Sequence, residues 1–399
     1  MNELAHPAVR ESTPVKLRVL REKIPSLPVF RKNVASSGPT WLPPVLVLGA
    51  IAAVAYADHR IVSMSIAYLY ILPLGIGAIF LRRNISYSLI VACVLLHDLD
   101  SPRKIHHPGL RLLDNLATML CFSFVVYFIQ QYIEQREALA RNVQQQRDRL
   151  LQDLELAAQV QRLFLPIGKP AIAGLQIAGM MQPARSVSGD YYDYIPIDPL
   201  TIEIVIADVA GKGVPAALLM AATAAVMQLE ANRDRNMLEL VERLNQEIDS
   251  VSDGERYVTL FVAEIDARKR TIRYVNCGHN PALLFRTKTG IVTRMDSSCP
   301  PIGMFLERPC ELASLDLIAG DVMVFYTDGV TEAQNQSGEE FGMERLAAVV
   351  TRGSAMSAED LMNDIFRSAA DFSGEVGFHD DVTILVVKCD FDDSATLPS

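Results

Sequence analysis

The chain has 399 residues, of which 50% are hydrophobic, and its formal net charge at pH 7 is −10. At about 150 residues per domain the length allows two or three domains, and the high hydrophobic share directs attention to membrane segments. The acidic balance argues against nucleic-acid binding, which needs a basic surface for the phosphates. The six cysteines include no C-x-x-C pair, so they support neither a zinc ribbon nor a disulfide framework.

Residues 1–40 are polar and basic, with seven lysines and arginines against three glutamates. No apolar run follows the start directly, so we do not expect a cleaved signal peptide. This segment is interpreted as a cytoplasmic tail.

Four apolar stretches follow, at residues 41–57, 63–81, 85–96 and 112–133. The second and fourth approach the ~20 residues that a membrane-spanning helix needs, whereas the third could instead be re-entrant or buried. The basic tail together with Arg82 and Arg83 marks the cytoplasmic side. We therefore predict about four transmembrane helices at residues 41–133, in the inner (cytoplasmic) membrane, with both chain ends inside the cell.

A cluster of histidines and aspartates follows the third stretch. Its members are His97, Asp98, Asp100, His106 and His107. A sensory metal or ligand site is one interpretation, and solvated loop residues are the other, which we prefer.

Residues 134–164 contain no glycine or proline and many good helix formers. A seam with spacings of three and four runs through Ala140, Val143, Arg147, Leu150, Leu154, Ala157, Gln161 and Phe164. This heptad pattern predicts a coiled-coil linker at 134–166 that makes a homodimer. The alternative is a single amphipathic helix packed on the next domain. Pro166 and Pro170 end the helix.

From residue 171 to residue 390 the pattern changes to strands and helices. Strands are predicted at 175–181, 191–197, 201–207, 257–265, 271–276, 282–286, 291–295, 322–326 and 383–387. Helices are predicted at 214–230, 237–251, 343–351 and 358–372. Because the strands come in runs, the fold class is predicted as α+β, with two largely antiparallel sheets packed face to face and helices outside. Residues 391–399 form a tail.

Aspartates occur at the ends of these strands. Asp208 directly follows one apolar strand, Asp328 follows another, Asp190 precedes a third, and Asp380 with Asp381 precedes a fourth. A single Asp beside a strand is usually part of a turn. Several together can converge on one cleft, where their burial is costly unless they are paired or bind a metal. Hard cations such as Mg²⁺ or Mn²⁺ prefer oxygen ligands, so the pattern indicates a site for such ions.

The motifs SGDYYD, ADVAGKGVPAALLM, NCGHNPALL, YTDGVTEA and HDDVTILVV occur in this order. Together they resemble the bacterial SpoIIE/RsbU branch of the PPM/PP2C phosphatases, over about residues 150–390. The resemblance implies a PP2C-like β-sandwich flanked by helices, with two Mn²⁺ or Mg²⁺ ions at one edge. It also implies hydrolysis of phosphoserine or phosphothreonine by a hydroxide that bridges the two metals.

The resemblance assigns roles by motif. Asp208 would bridge both metals, the backbone carbonyl of Val209 would bind one, and Asp190 would serve the second. Asp328 and Asp380 would complete the first, and Asp208 and Asp328 would be catalytic through metal-bound water. In HDDVT the first acid matches the ligand and Asp381 matches its neighbour.

Several smaller assignments remain open. Arg185 would be a substrate-binding residue for the phosphate, with a surface arginine as the alternative. His279 is expected to hold its turn or shape the core. The histidine that eukaryotic members carry after the bridging acid is missing here, so the proton donor is unassigned. Movement of residues 134–164 is hypothesised to shift the helix at 214–230 and with it the turn at Asp208.

The resemblance implies a phosphorylated protein substrate, usually an anti-sigma-factor antagonist of the STAS type. The function predicted is therefore that of a membrane-anchored protein phosphatase in signal transduction. A catalytically inactive phosphatase-fold receptor that sequesters a signalling partner is the alternative. A sensor histidine kinase is disfavoured because no histidine lies between residues 108 and 278. A P-loop is disfavoured because Gly213, in place of Ser or Thr, follows Lys212.

Overall fold

The computed structural model describes residues 41–60, 66–104, 108–230, 236–252, 256–305 and 309–391. It divides the chain into two compact units, residues 1–149 and 150–399. The tail predicted at residues 1–40 and most of the tail predicted at 391–399 lie outside the described residues.

The first unit is helical. Its helices are α1 Leu42–Arg60, α2 Ile71–Phe80, α3 Arg83–Lys104 and α4 Pro108–Gln161, with a 3₁₀ turn at Ala67–Tyr70 before α2. Among the described residues, two helical segments are long and apolar enough to cross a membrane, Leu42–Arg60 and Pro108–Phe164. The first predicted stretch therefore meets the length requirement, whereas the described part of the second is a shorter apolar helix at Ala67–Phe80. Two such helices point to membrane association without fixing the number of crossings.

A buried histidine joins three helices of the first unit. His97 of α3 is 2% exposed, and its Nδ1 lies 3.3 Å from Asp58 Oδ2 of α1. Its Nε2 lies 3.0 Å from Asp114 Oδ2 of α4. The interpretation of His97 as a solvated loop residue was wrong, because helix α3 extends past the apolar stretch and carries this residue inward.

Helix α4 is 54 residues long and includes both the fourth apolar stretch and most of the predicted linker. Near its end, Ala158 and Gln161 are buried, and Phe164 packs against a core cluster of the second unit. The exposed apolar side chains there are Leu156, Val160 and Leu163. The structure thus differs from the predicted seam, since Gln161 and Phe164 face their own domain.

The second unit contains ten strands and five helices among its described residues. The strands are β1 Leu175–Gln182, β2 Tyr191–Asp198, β3 Thr201–Val209, β4 Val258–Asp266, β5 Thr271–Cys277, β6 Ala282–Arg286, β7 Ile291–Met295, β8 Ala313–Asp316, β9 Val322–Tyr326 and β10 Val382–Cys389. The helices are α5 Val214–Glu230, α6 Met237–Val251, α7 Asp328–Thr331, α8 Gly342–Arg352 and α9 Ala358–Ser373.

The strands form two five-stranded sheets, in the orders β1-β10-β9-β6-β7 and β2-β3-β4-β5-β8. Each recorded strand pair is antiparallel. The predicted α+β class with two antiparallel sheets is confirmed. Strand β8 was not predicted, because it is a four-residue edge strand without an apolar run.

Both faces of the sheets are covered, which explains the nearly continuous apolar strands. In β3, Ile202, Ile204 and Ile206 belong to the core between the sheets. The alternate residues Val205 and Ala207 belong to a second cluster with α5 and α6. A third cluster lies between the other sheet and α8 and α9. The result is a four-layer sandwich, with one helical layer on the outer face of each sheet.

A disulfide bond joins Cys299 and Cys310, in the segment between β7 and β8. The cysteine spacing did not predict this bond. Its two Cα atoms are 4.7 Å apart, within the range that a disulfide bridges.

Candidate metal centre

Two of the predicted site residues come from neighbouring strands of one sheet. The β2–β3 register pairs Tyr191 with Ala207. Asp190 and Asp208 are the next residues outward along these antiparallel strands, so the register brings them opposite each other. The site begins with this carboxylate pair at the end of the hairpin.

The other predicted acids come from the facing sheet. Asp328 begins α7 two residues after β9, and Asp380 lies just before β10. Strands β9 and β10 pair at Tyr326 and Ile384, and the Thr327 N–H donates to the Thr383 carbonyl at 3.1 Å. The end of β9 and the start of β10 therefore lie at one edge, and their acids lie there with them.

The Asp190 carboxylate links the two sheets at this edge. Asp190 is 2% exposed, and its Oδ2 accepts hydrogen bonds from Thr327 Oγ1 at 2.8 Å and from Thr383 Oγ1 at 2.5 Å. Sequence reasoning missed both threonines, although each stands within two residues of an acid in the motifs YTDG and DDVT. Their hydroxyls stabilise a carboxylate that burial would otherwise penalise.

The acids affect one another electrostatically. Burial, and then the charge of Asp208, raises the pKa of Asp190 well above its usual range. Burial, and then the charges of Asp328 and Asp380, raises the pKa of Asp208 to about 7. Burial and Asp380 likewise raise the pKa of Asp328. Asp208 is thus close enough to Asp190, Asp328 and Asp380 to interact with each of them, an arrangement that a bound cation would stabilise.

Asp381 has a different set of partners from Asp380. Its Oδ1 accepts from the Ala184 N–H at 2.7 Å, and its Oδ2 accepts from Ser188 Oγ at 2.7 Å and the Gly189 N–H at 2.8 Å. Asp380 Oδ2 instead lies 2.6 Å from Lys212 Nζ. The Asp381 N–H donates to Asp380 Oδ1 at 3.0 Å, so both carboxylates are engaged, Asp381 by the loop before Asp190 and Asp380 by Lys212 and the adjacent backbone.

Two glycines allow the close backbone contacts of the site. A Cβ at Gly329 would lie 2.0 Å from the Asp381 carbonyl oxygen. A Cβ at Gly189 would lie 3.3 Å from the Val209 carbonyl oxygen and 3.6 Å from Asp208 Oδ1. The Val209 carbonyl and the Asp208 side chain therefore border the loop that carries Asp190.

His279 is connected to the backbone of Asp208 through Thr259. Thr259 Oγ1 donates to the Asp208 carbonyl at 3.2 Å and lies 2.9 Å from His279 Nδ1. The Thr259 hydroxyl thus connects the backbone of Asp208 with the imidazole of His279. Burial lowers the pKa of His279 to about 4, so the imidazole is neutral at physiological pH. The backbone N–H of His279 donates to Asn276 Oδ1 at 2.8 Å. This bond fits the prediction that His279 helps to hold its turn.

Arg185 is exposed in the loop between β1 and Asp190. It forms no hydrogen bond or ion pair with the part of the chain that the structure describes. Its neighbours Ala184 and Ser188 are both held by Asp381. The structure therefore places Arg185 on an anchored loop beside the acids, with its guanidinium available to solvent.

The donor set fits a hard divalent cation in chemistry and charge. It consists of carboxylates and one backbone carbonyl, which are the ligands that Mg²⁺ and Mn²⁺ prefer. Within the described ranges, no three His, Cys, Asp or Glu side chains already stand in the arrangement of a metal-ligand set. The positive charge of a cation held by these carboxylates would relieve their repulsion.

The raised pKa values predict an unusual pH dependence of stability without metal. In the folded protein, Asp190 and Asp208 keep their protons to a higher pH than an unfolded aspartate, whose pKa is 3.8. The free energy of unfolding therefore falls as the pH rises from about 4 to about 7. We expect the chelator-treated protein to melt at a higher temperature at about pH 5.5 than at about pH 7.5. Asp208→Asn should reduce this difference in calorimetry. Equal wild-type melting temperatures at the two pH values would contradict the prediction.

A second prediction concerns the contact at Gly329. A methyl group in Gly329→Ala would collide with the Asp381 backbone and separate Asp328 from Asp380. We expect Mn²⁺ affinity in calorimetric titration to fall by about tenfold or more, as for other disturbed metal-site supports. Gly338→Ala is the matched control, because its Cβ would meet open space and only its left-handed φ costs about 1 kcal/mol. Wild-type affinity in Gly329→Ala would show that this contact does not shape the site.

Comparison with known proteins gives a family and a fold for this region. Residues 198–390 match the family described as Stage II sporulation protein E (SpoIIE). The chain is 31% identical over 289 residues to protein IcfG of Synechocystis sp., covering 65% of this chain and 45% of that protein. It is 28% identical over 256 residues to the phosphoserine phosphatase RsbU of Bacillus subtilis, covering 64% of this chain and 74% of that protein. This chain thus spans less than half the length of protein IcfG.

Among solved structures, the SiaA-PP2C domain of Pseudomonas aeruginosa superposes with a TM-score of 0.54 at 21% sequence identity. The match covers 62% of this chain and 98% of that domain. At this identity the likeness concerns the fold, and it agrees with the two-sheet sandwich described above. The second unit of this chain therefore contains a region similar to the SpoIIE family, at residues 198–390, and has the PP2C fold.

Proposed function

We propose that the protein is a membrane-anchored, metal-dependent serine/threonine protein phosphatase that acts in signal transduction. The observation that carries this proposal is the gathering of Asp190, Asp208, Asp328 and Asp380 from four separate segments at one edge of a PP2C-type sandwich. The similarity to RsbU and RsbP of Bacillus subtilis, both named phosphoserine phosphatases, supports a serine/threonine phosphatase.

We propose two Mn²⁺ or Mg²⁺ ions at this edge. Asp208 would contact both, with Asp190 on one ion and Asp328 and Asp380 on the other, and the Val209 carbonyl would add a ligand. When bound, such ions make a water molecule more acidic and neutralise charge on a phosphoryl group. The protein supplies the positions of the ligands.

The surrounding residues have separate tasks in this proposal. Thr327 and Thr383 fix the Asp190 carboxylate, and Thr259 holds the backbone of Asp208. Arg185, exposed on its anchored loop, would bind the substrate phosphate by a charge-assisted contact. His279 is buried and neutral, so it is unsuited to donate a proton to the leaving group.

The substrate class is proposed from the motif resemblance. It is a protein phosphorylated on serine or threonine, of the kind represented by STAS-type anti-sigma-factor antagonists. The two relatives named phosphoserine phosphatases support the phosphoserine part of this proposal.

Activity on such substrates should depend on Mn²⁺ and on Asp208. We expect the full-length protein to release phosphate from p-nitrophenyl phosphate and from a phosphorylated STAS-type protein of the same genome. Asp208→Asn should lower kcat by about 10²- to 10³-fold, a size typical for loss of an electrostatic catalytic group. Asp198→Asn, which alters an exposed aspartate at the far end of β2, is the matched control.

The same assay distinguishes the alternative function. Wild-type protein that takes up Mn²⁺ and binds the phosphoprotein, but releases no phosphate, would identify a receptor that sequesters its partner. Protein that neither takes up Mn²⁺ nor releases phosphate would contradict the phosphatase proposal.

We propose that the first unit is a multi-pass anchor in the cytoplasmic membrane. The apolar segments Leu42–Arg60 and Pro108–Phe164 support membrane association, and Arg82 and Arg83 between α2 and α3 mark the cytoplasmic side. An even number of crossings then leaves residues 150–399 in the cytoplasm.

This topology predicts a specific pattern of protease sensitivity. Protease added to inside-out vesicles should digest residues 150–399, whereas protease added to spheroplasts should leave them intact. A periplasmic marker protein serves as the control for membrane integrity. Digestion in spheroplasts would indicate an odd number of crossings.

We propose further that two copies associate through the end of α4. Its exposed apolar side chains include Leu156 and Val160, and Leu163 follows in the 3₁₀ turn Arg162–Phe164. Their spacings of four and three suit a paired helical seam.

Light scattering on the detergent-solubilised full chain tests the association. We expect a protein mass of two chains for wild type and one chain for Val160→Glu/Leu163→Glu. Val251→Glu, at the exposed end of α6, should retain the wild-type mass. A single-chain mass for wild type would overturn the proposal.

A further inference from the structure

The disulfide bond between Cys299 and Cys310 has one buried end and one partly exposed end. Cys299 is 6% exposed and belongs to the apolar cluster that includes residues of α5, α6, β3 and β4. Cys310 packs at the margin of the same cluster, and the residues on either side of it are exposed. A reagent in solution therefore reaches the bond from the Cys310 side.

The proposed cytoplasmic location of residues 150–399 bears on the chemistry of this bond. Cytoplasmic reductants keep most cysteines as thiols, and the disulfides that do form there are usually transient and are either catalytic or redox-sensing. The Cα atoms of Cys299 and Cys310 are 4.7 Å apart, within the range that a disulfide spans. The backbone therefore holds the pair at a separation from which the bond can form.

The chain that follows Cys299 pairs with the sheet that carries Asp208. The Cys299 N–H donates to the Asn276 carbonyl of β5 at 2.9 Å. Three residues further on, the Ile302 N–H donates to the Val258 carbonyl of β4 at 2.8 Å, and the Val258 N–H donates to the Ile302 carbonyl at 2.9 Å. Residues 299–302 thus add a short pairing partner to the start of β4.

Helix α6 holds the next residues of this segment. The Gly303 N–H donates to Asn245 Oδ1 at 2.8 Å, and Asn245 Nδ2 donates to the Phe305 carbonyl at 2.9 Å. Asn245 is 2% exposed, so water does not compete for these bonds. The segment at residues 299–305 is therefore held by β4 on one side and by α6 on the other.

The start of β4 lies directly beside the acidic edge. In the β3–β4 register, Val258 pairs with Val209 and Thr259 pairs with Asp208. Thr259 Oγ1 also donates to the Asp208 carbonyl at 3.2 Å. A change in how firmly the 299–305 segment holds Val258 is therefore felt one residue further on, by the threonine that holds Asp208.

We propose that Cys299 and Cys310 form a reversible thiol–disulfide site, oxidised by a peroxide and reduced by a dithiol protein, and that the closed bond raises the affinity of the acidic edge for a divalent cation. The inference rests on the proposed function and on the proposed cytoplasmic location. The closed bond ties the 299–305 segment to the chain at Cys310, and the segment then holds the start of β4 firmly. Without the bond, only the hydrogen bonds and packing of the segment hold it, so Thr259 is less rigidly placed beside Asp208.

The oxidation balances with hydrogen peroxide as the oxidant. The Cys310 thiol, as its thiolate, attacks a peroxide oxygen, the O–O bond breaks, and a sulfenic acid and a water molecule result. The Cys299 thiol then attacks the sulfenic sulfur, the S–O bond breaks, and a second water molecule leaves as the S–S bond forms. The pair loses two electrons and two protons, and the peroxide takes up both.

The reduction is a thiol–disulfide exchange. A thiolate of the dithiol donor attacks the exposed Cys310 sulfur, and Cys299 leaves as a thiolate. The second thiol of the donor then attacks the mixed disulfide and releases Cys310. The donor departs as a disulfide, so the two electrons that it loses are those that the pair gains.

The two redox states of the full-length protein provide the test. One sample is treated with hydrogen peroxide and the other with dithiothreitol, the reagents are removed, and mass spectrometry after alkylation reports whether the pair is closed. We expect the closed form to melt about 5–10 °C higher, as a short disulfide loop in a domain of this size usually does. Its Mn²⁺ affinity in calorimetric titration should be higher by about fivefold or more, the lower end of typical coupling between two sites.

Linkage requires the reverse effect as well. If the closed bond favours the cation, saturating Mn²⁺ makes the bond harder to reduce by the same factor. A titration of the pair with mixtures of reduced and oxidised glutathione, with and without Mn²⁺, measures this shift without a phosphatase assay.

Two variants assign the response to the pair. Cys310→Ser removes the accessible sulfur, leaves Cys299 in the core, and should have the lower Mn²⁺ affinity of the reduced protein after either treatment. Cys121→Ser is the matched control, because Cys121 is an exposed cysteine of α4 outside the pair, and it should respond as wild type does. The wild-type comparison itself needs no substitution, so misfolding of a variant does not obscure it.

The outcomes distinguish this inference from the function on which it rests. A pair that peroxide does not close, a bond that dithiothreitol does not open in the folded protein, or equal Mn²⁺ affinities in the two states would overturn the inference alone. A Cys310→Ser variant that still responds to peroxide would attribute the response to other groups and overturn it as well. Protein that neither binds Mn²⁺ nor releases phosphate in either redox state would overturn the inference together with the proposed function.

Discussion

The site depends on one buried carboxylate that belongs to one sheet and is held by the other. Asp190 extends from β2, and its hydrogen bonds come from Thr327 and Thr383 beside β9 and β10. A buried charge is tolerable only with such partners. Since the same carboxylate faces Asp208, the contact that joins the sheets also brings the acids of both sheets together.

The surrounding core makes this arrangement possible. Clustered carboxylates destabilise a fold that lacks their counter-ion, and three buried apolar clusters on and between the sheets offset that cost. The neutral His279 and the hydroxyl of Thr259 add rigidity behind Asp208 without adding charge. The domain therefore has a strongly apolar interior and one edge at which carboxylates repel one another.

Helices and strands could be predicted from the sequence where their burial produces a periodic pattern of apolar residues. Helices α5 and α6 have their predicted ends, because apolar periodicity and flanking breakers lie in the adjacent sequence. Edge strand β8 has alternating partial exposure and no apolar run, so it left no such signal. The acids were found through strand ends and motif resemblance. Thr327 and Thr383 were missed, since their partner Asp190 lies 137 and 193 residues away and local patterns carry no information about such pairs.

The two consecutive aspartates before β10 have the same side chain but different partners, because successive residues of an extended chain point in opposite directions. Asp381 is occupied by the loop at 184–190, while Asp380 faces Lys212 and the acidic cluster. Inserting one residue between this pair and β10 would move Asp381 into the place of Asp380 and leave the 184–190 loop without its carboxylate partner. The pairing of β10 with β9 therefore determines which of two chemically equal carboxyl groups anchors that loop and which one faces Lys212.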